Sequence, residues 1–497
     1  MGILLWPDGK QSTIEHTFSG QTINDLQLQQ IFDQNSFNHY YKLSMDEIIR
    51  LWTSDAEVIR YRQEILRDLD KNPGILEMFE DLLDNIDSWD RHSGRGRHNG
   101  DAEHYSIDMW NFSFLESYIQ KLGELREHMS AMTIEAQGLL NFRKRIQKLY
   151  DSTAFQSVSK VFQENYSGYA MPERITLGIN LNRSLNPVTV KLLRIPEHTQ
   201  HGRRMSLTPS AVLSARTVAA KAVTEAGNDI SAFVSNQSRE LRAIKQDIIF
   251  YLTAMAMRKS WHEYGLESCL PVLGSEDEKC FEATGMFNPL LVCNHASNIV
   301  TNDINFKKNG ELLILTGANQ GGKTVFLQSV ALIQWFAQLG IWAPCSTARL
   351  SVANQILTVF SPMVSGSSAI RGKGLLSEEV KRISDAIKQI DCNSMVFFNE
   401  PLNATSPSEN LYISEEVLAA IKAAGVRGIW VTHLYELAAD RVRLNNLINW
   451  GSSVGSIHII VRSSPDGIKS TYHIERGEPE FKSYASEVLR RGGISFE

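Results

Sequence analysis

The chain has 497 residues, 43% hydrophobic and 21% charged, enough for about three globular domains by the usual length prior. A net charge of -6 and a pI near 6.1 exclude a general attraction to nucleic acid, so any such contact has to come from a local patch. The sequence shows no membrane span, MGILLWPDGKQ lacks the basic start and apolar run of a signal peptide, and MGILLW fits a myristoylation pattern only loosely, so a cytoplasmic location is expected.

Residues 1–40 alternate weakly and contain turn residues, which predicts an irregular N-terminal lead-in. From Asp55, an N-cap type, Val58, Tyr61, Ile65, Leu66 and Leu69 recur at helical spacing, and Asn72 with Pro73 ends that helix. A second, short helix is expected through Leu83, and the polar stretch from Ser88 to His104 reads as an exposed loop. Phe112, Leu115, Ile119, Leu122, Leu125, Met129, Met132, Ala136, Leu139, Phe142, Ile146 and Leu149 are separated only by threes and fours. That spacing predicts one long amphipathic helix, or two broken near Gly123 or Gly138.

Arg174 to Ile195 alternates apolar and polar residues around Ser184 to Pro187, the pattern of a β-hairpin. His198, His201, Arg203 and Arg204 follow as a basic cluster, open to phosphate contact or to plain solvation. Ile230, Phe233, Leu241, Ile244, Ile248, Leu252 and Met255 define another long helix. Residues 41–265 are thus expected to form a mostly helical domain with a short β insertion near 174–195. Cys269, Cys280, Cys293, Cys345 and Cys392 show no C-x-x-C spacing and are expected to be reduced and structural.

Glu311 to Phe326, ELLILTGANQGGKTVF, reads as strand, phosphate loop and helix. Gly317, Gly322, Lys323 and Thr324 satisfy G-x-x-x-x-G-K-[ST]: glycines let backbone N–H groups approach phosphates, the lysine reaches the β/γ-phosphates and the hydroxyl ligates Mg²⁺. Leu312 to Leu315 form a continuous buried-strand signal, and Phe326, Leu327, Val330, Ile333 and Phe336 lie on or near one helical face. The nucleotide-binding candidates are Gly317, Ala318, Asn319, Gln320, Gly321, Gly322, Lys323 and Thr324, with ATP and Mg²⁺ as the cofactors.

The loop GANQGGKT resembles the phosphate loop of the MutS family of DNA mismatch repair ATPases, G-P-N-M-G-G-K-[ST], through Asn319, Gly321 and Gly322, and departs from it at Ala318 and Gln320. Gly340 to Ala348 is similar to the family's G-x-x-V-P-A-x-x-A, Val431 to Leu437 to its A-T-H-x-x-E-L, and Asn302-Asp303 to the N-D ahead of the first ATPase strand. Thr471 to Gly493 resembles its closing segment, and DAEVIRYRQEILRDL the opening of its helical core. The resemblance implies α plus α/β: a long-helix core or lever domain, then a P-loop, ABC-type, MutS-like ATPase domain over 280–497. It also implies a homodimer through the ATPase face and DNA as a partner. No N-terminal room is expected for the mismatch-recognition domain, since Phe114-Leu115-Glu116 matches its F-x-E wedge only inside a helix.

Three departures bear on chemistry. The Walker B aspartate is replaced by Asn399 before Glu400, so the candidate metal ligands are Thr324 and Asn399, and an amide offers only a neutral oxygen. The resemblance casts Glu400 as the residue that polarises water and His433 as the one at the γ-phosphate, which with Lys323 are the catalytic candidates. Gly372 and Glu379 fit the family's G-x-S-T-F-x-x-E, while Gly374, Leu375 and Leu376 replace its Ser-Thr-Phe. After Glu400, PLNATSPSEN keeps Thr405 and Ser406 of the dimer-contacting loop but loses its glycines and arginine. Two functional readings remain: a DNA-associated, weak ATPase in repair or recombination without direct mismatch recognition, or a nucleotide-binding scaffold with little hydrolysis and a protein partner. An SMC-like reading is disfavoured because the long helices all precede the P-loop.

Overall fold

The computed structural model describes residues 4–10, 20–38, 40–93, 104–165, 176–181, 187–194, 241–307, 310–318, 320–361, 372–464 and 467–477, with 233 and 239. The chain divides into two units: Met1–Leu4 with Arg67–Ile248, and Leu5–Leu66 with Ile249–Glu497.

In the first unit the periodic stretch forms two helices, His104–Ala131 and Gln137–Tyr150. The break falls at 132–136, near Gly138 as expected, where Asp68 accepts from Glu135 N (2.8 Å) and Ala136 N (2.7 Å) and so satisfies donors at the second helix's start. The helix from Pro73, expected to be short, runs to Ser93 and so enters the predicted loop. Phe79 meets Phe142 edge to face at 6.0 Å, and Tyr118 meets Phe155 likewise at 6.1 Å. The predicted hairpin is present as antiparallel strands β1 (Thr176–Leu181) and β2 (Pro187–Arg194). The basic cluster at His198 to Arg204 and most of the helix predicted over 230–255 ahead of residue 241 lie outside the described residues.

The second unit carries two sheets. β3 (Val272–Leu273), β4 (Phe281–Met286), β5 (Asn302–Phe306) and β7 (Thr347–Leu350) form a four-stranded sheet in the order β3-β7-β4-β5. β6 (Glu311–Thr316), β8 (Ile356–Phe360), β9 (Met395–Asn399), β10 (Arg427–Val431), β11 (Ser453–Ser464) and β12 (Gly467–Arg476) form the other, ordered β12-β11-β6-β10-β9-β8. All pairs in that sheet are parallel except β11 with β12. Parallel strands need cover on both faces, which accounts for the unbroken apolar runs LLIL (312–315) and MVFF (395–398). Arg427, buried on β10, donates to Cys280 O (3.0 Å), Ser351 O (3.2 Å) and Val352 O (3.1 Å) and thereby ties β10 to the ends of β4 and β7.

Two expectations change here. Residues 20–34, read as an irregular lead-in, form helices Gly20–Asp25 and Leu28–Gln34 packed in this unit. They are too short to display a periodic signal and are held by partners distant in sequence: Phe32 lies edge to face with Trp335 at 5.9 Å, and Thr358 Oγ1 donates to Asp25 Oδ2 at 2.8 Å. The helix Lys323–Leu339, read as one-faced, is buried nearly all round. Its polar positions are hydrogen-bonded inside: Gln338 Nε2 donates to Thr53 O (3.1 Å) and Ala353 O (2.8 Å), and Gln334 Nε2 to Ser351 O (3.1 Å). Arg62, fully buried, donates to Leu5 O, Leu51 O and Leu339 O, the last at that helix's C-terminal end.

Candidate functional site

The site lies where β6, β10 and β9 end. Adjacent parallel strands place their following loops along one edge of the sheet, where open α/β folds form crevices. β6 is buried throughout, and the chain leaves it at Gly317, whose φ of +149° suits glycine; a Cβ there would come 2.9 Å from Ile459 Cδ1. Gln320 has φ 61°, Gly321 N donates to Ala318 O (3.2 Å), and Gly322 at φ +92° precedes the helix that starts at Lys323. This turn aims the helix N-terminus, with its free N–H groups, at the sheet edge. Asn319 lies outside the described residues.

Lys323 is 4% exposed; its Nζ donates to Gly317 O (3.0 Å) and Ala318 O (3.1 Å) and stands 3.3 Å from Glu400 Oε1. Burial lowers its ammonium, an effect that Glu400 counters. Thr324 Oγ1 donates to Asn399 Oδ1 at 3.2 Å, so the two residues chosen as metal ligands are neighbours. Asn399 ends β9 and Val431 opposite it ends β10. His433, two residues beyond Val431, brings Nε2 within 2.6 Å of Glu400 Oε1. Burial pushes the Glu400 carboxyl up, but the His433 bond and charge and the Lys323 charge outweigh it, and the group settles at about 2. The structure therefore brings Lys323, Glu400 and His433 together, and Thr324 with Asn399 beside them.

Glu400 has a backbone φ of 51°, a region that costs a side-chain-bearing residue energy and needs support. Support comes from Val431 O, which accepts from Glu400 N (3.0 Å), and from Ser361 Oγ, which donates to Glu400 O (2.5 Å). Ser361 Oγ also lies 2.7 Å from Glu379 Oε1. Glu379, known from the sequence only as a motif match, is thus placed behind Glu400. Thr405 and Ser406 hold the start of the helix Pro407–Ala423: Ser406 is its N-cap, and both hydroxyls bond Glu409. The Leu375 side chain lies outside the described residues.

A cavity of about 780 Å³ opens beside the loop, lined by Gly321 to Thr324 and Glu400 and by Phe287, Leu291, Asn298 and Tyr472. That volume and its mixed polar and apolar lining suit a small organic ligand. Tyr472, at φ 60°, sits with Cδ1 3.2 Å from a Cβ built on Gly322. It is fixed by Asn302, which donates to Tyr472 O (3.0 Å) and accepts from Ile474 N (2.9 Å). In the sequence Asn302 and the closing Thr471-Tyr472 stand in separate motifs, and their order on either side of the loop motif is the one signal that joins them. Among the described residues no group of three or more His, Cys, Asp or Glu side chains is placed to hold a metal ion, and no helix is long and apolar enough to cross a membrane.

Residues 313–495 match the family described as MutS domain V, and residues 54–263 that described as the MutS2 N-terminal domain. The chain belongs to the MutS family. It is 25% identical over 273 residues to the DNA mismatch repair protein MutS of Prochlorococcus marinus (strain MIT 9301), covering 54% of this chain and 29% of that one. To the endonuclease MutS2 of Lactococcus lactis subsp. cremoris (strain MG1363) it is 26% identical over 298 residues, 59% of this chain and 36% of that one. A MutS2 of Lactococcus lactis subsp. lactis (strain IL1403) is 30% identical over 199 residues, 40% of this chain and 24% of that one. The chain thus spans well under half the length of these relatives.

Proposed function

We propose that the chain is a MutS-like ATP-binding protein that associates with DNA under nucleotide control, in repair or recombination. The observation that carries this reading is the meeting of Lys323, Glu400 and His433 at the strand ends, next to a cavity of about 780 Å³ and a glycine-rich helix start. In it, the loop 317–324 cradles the phosphates, Lys323 leaves its contacts with Gly317 O and Ala318 O to meet them, and the cavity holds the base and sugar. The residues that would hold Mg²⁺ are Thr324 and Asn399, whose oxygens already lie 3.2 Å apart. When bound, the ion neutralises phosphate charge. The donor set fits a divalent ion weakly, because both oxygens are neutral.

Glu400, ionised and anchored by His433, is placed to take a hydrogen bond from an attacking water, which makes hydrolysis of ATP to ADP and phosphate the reaction this chain would run slowly. The named relatives act in DNA mismatch repair or as endonucleases; from them we carry over DNA association alone. A homodimer through the ATPase face and a lever role for the helical unit are part of the same proposal. The second reading, a nucleotide-switched scaffold with a protein partner, is favoured by one observation, the amide of Asn399 where a carboxylate would hold the metal.

The deciding experiment has two arms. Lys323→Ala should abolish binding of fluorescent ATP, and wild-type-like affinity would refute the site. ATP turnover with branched, mismatched and homoduplex DNA should rise for at least one of them. No response to any, with intact nucleotide binding, would leave the scaffold reading.

A further inference from the structure

Outside this site, two cysteines stand against each other. Cys269 precedes β3 and Cys345 precedes β7, and their Sγ atoms lie 3.6 Å apart. The main chain fixes the approach: Cys269 N donates to Ala343 O (3.2 Å) and Ala343 N to Cys269 O (2.8 Å). Cys345 N then donates back to Ala343 O (2.9 Å), a tight turn around Pro344 that returns the Cys345 side chain to Cys269. Closing the gap to a bonded distance of about 2.05 Å is a matter of side-chain rotation and a small shift.

The two thiols are unequal. Cys345 is fully buried, whereas Cys269 is partly exposed. The hydrogen bond from Cys345 draws the Cys269 thiol below its usual range, and the same contact with burial pushes Cys345 up. Cys269 is therefore the thiolate-forming, reachable sulfur and Cys345 the protonated one behind it, the division of labour of an attacking and a resolving cysteine.

We propose that Cys269 and Cys345 are an oxidation site that closes to a reversible intramolecular disulfide under hydrogen peroxide. In the first step the Cys269 thiolate attacks the peroxide O–O bond, giving Cys269 sulfenic acid and hydroxide. In the second the Cys345 sulfur displaces the sulfenic oxygen, which leaves as water with the thiol proton. Two thiols are oxidised by two electrons, and one peroxide is reduced to two waters. The bond joins the segment just after the helix Lys245–Glu263 to the segment just after the helix Lys323–Leu339. It encloses β3, β4, β5, β6 and the loop 317–322 in one covalent ring. Oxidation would hold the framework of the nucleotide loop closed and stabilise this unit, by restricting the unfolded chain.

The test uses the full chain, reduced, then exposed to hydrogen peroxide, alkylated and mapped by peptide mass spectrometry. The expected result is a peptide pair linked through Cys269 and Cys345, restored by dithiothreitol, with buried Cys280 and Cys293 still alkylated after unfolding. The thermal midpoint should rise by several degrees on oxidation of the wild type and stay unchanged in Cys345→Ala. Recovery of Cys269 as sulfinic acid, or linked to exposed Cys392 of another molecule, with Cys345 still free, would overturn the proposal. The mapping needs no variant, so the outcome stands even where Cys345→Ala fails to fold.

Discussion

His433 Nε2 and Glu400 Oε1 are 2.6 Å apart, and Lys323 Nζ approaches the same oxygen at 3.3 Å. Two potential cations on one carboxylate hold it at about 2, below its ordinary 4.5. Glu400→Gln keeps the shape and removes the charge. Nucleotide binding should persist and turnover should fall by 10²-fold or so, the lower range for losing a positioned proton acceptor. A depressed carboxyl stabilises the fold above its unfolded value and loses that contribution as pH falls toward 2. Wild type should therefore show a steeper loss of stability than Glu400→Gln between pH 4.5 and 2 in acid titrations; equal slopes would mean the carboxylate is not paired.

Asn399 beside Thr324 sets the metal prediction. Asn399→Asp adds a charge within reach of the same position, so half-saturation by Mg²⁺ should fall about tenfold or more and turnover should rise. Phosphate release across a Mg²⁺ titration decides it. An unchanged curve would place the metal on another group.

Asp25 answers to pH in the opposite sense. Burial raises its carboxyl to about 6, against the bond from Thr358 and the charge of Arg382. The folded chain then binds the proton more tightly than the unfolded one, so this group's contribution is greatest below pH 3.8 and is lost as pH rises to 6. Its full size is on the order of 3 kcal/mol. Asp25→Asn should unfold at higher urea concentration than wild type at pH 8 and at nearly the same concentration at pH 4. A variant less stable at pH 8 would show that the carboxylate is held by its partners rather than penalised by burial.

Arg62→Ala leaves three backbone carbonyls, those of Leu5, Leu51 and Leu339, without their donor. The loss should reach about 3 kcal/mol, within the range for buried bonds to a charged group. Urea midpoints measure it, and a shift worth under about 1 kcal/mol would mean that water replaces the guanidinium there.

The parts of this molecule that announce themselves in sequence are those specified by neighbours in the chain. ELLILT is a buried parallel strand because every residue in it is apolar or end-placed, and Lys323 follows glycines because the turn needs their backbone freedom. The contacts that are not legible there join residues far apart. Ser361 matters through Glu400 and Glu379, and Tyr472 through Asn302 and Gly322, none of which local spacing can reveal. The helices at 20–34 gave no signal because their few apolar residues meet Trp335 and Phe336, three hundred positions later or thereabouts. The helix Lys323–Leu339 can bury Gln334 and Gln338 because their amides find buried carbonyls, which spacing along the chain cannot reveal.

The burial of that central helix also determines where the polypeptide can be cut. A fragment starting at residue 280, the boundary that the motifs alone suggest, would strip Phe32 and Trp261 from Trp335 and Phe336 and take away Arg62 at Leu339 O and Thr53 O at Gln338. The bared aromatic surface would drive such a fragment to aggregate. A soluble nucleotide-binding piece has to start at residue 249, so as to hold Trp261, and keep residues 5–66 with it, whether fused through a linker or supplied as a separate chain, and the two pieces should re-form one particle when mixed.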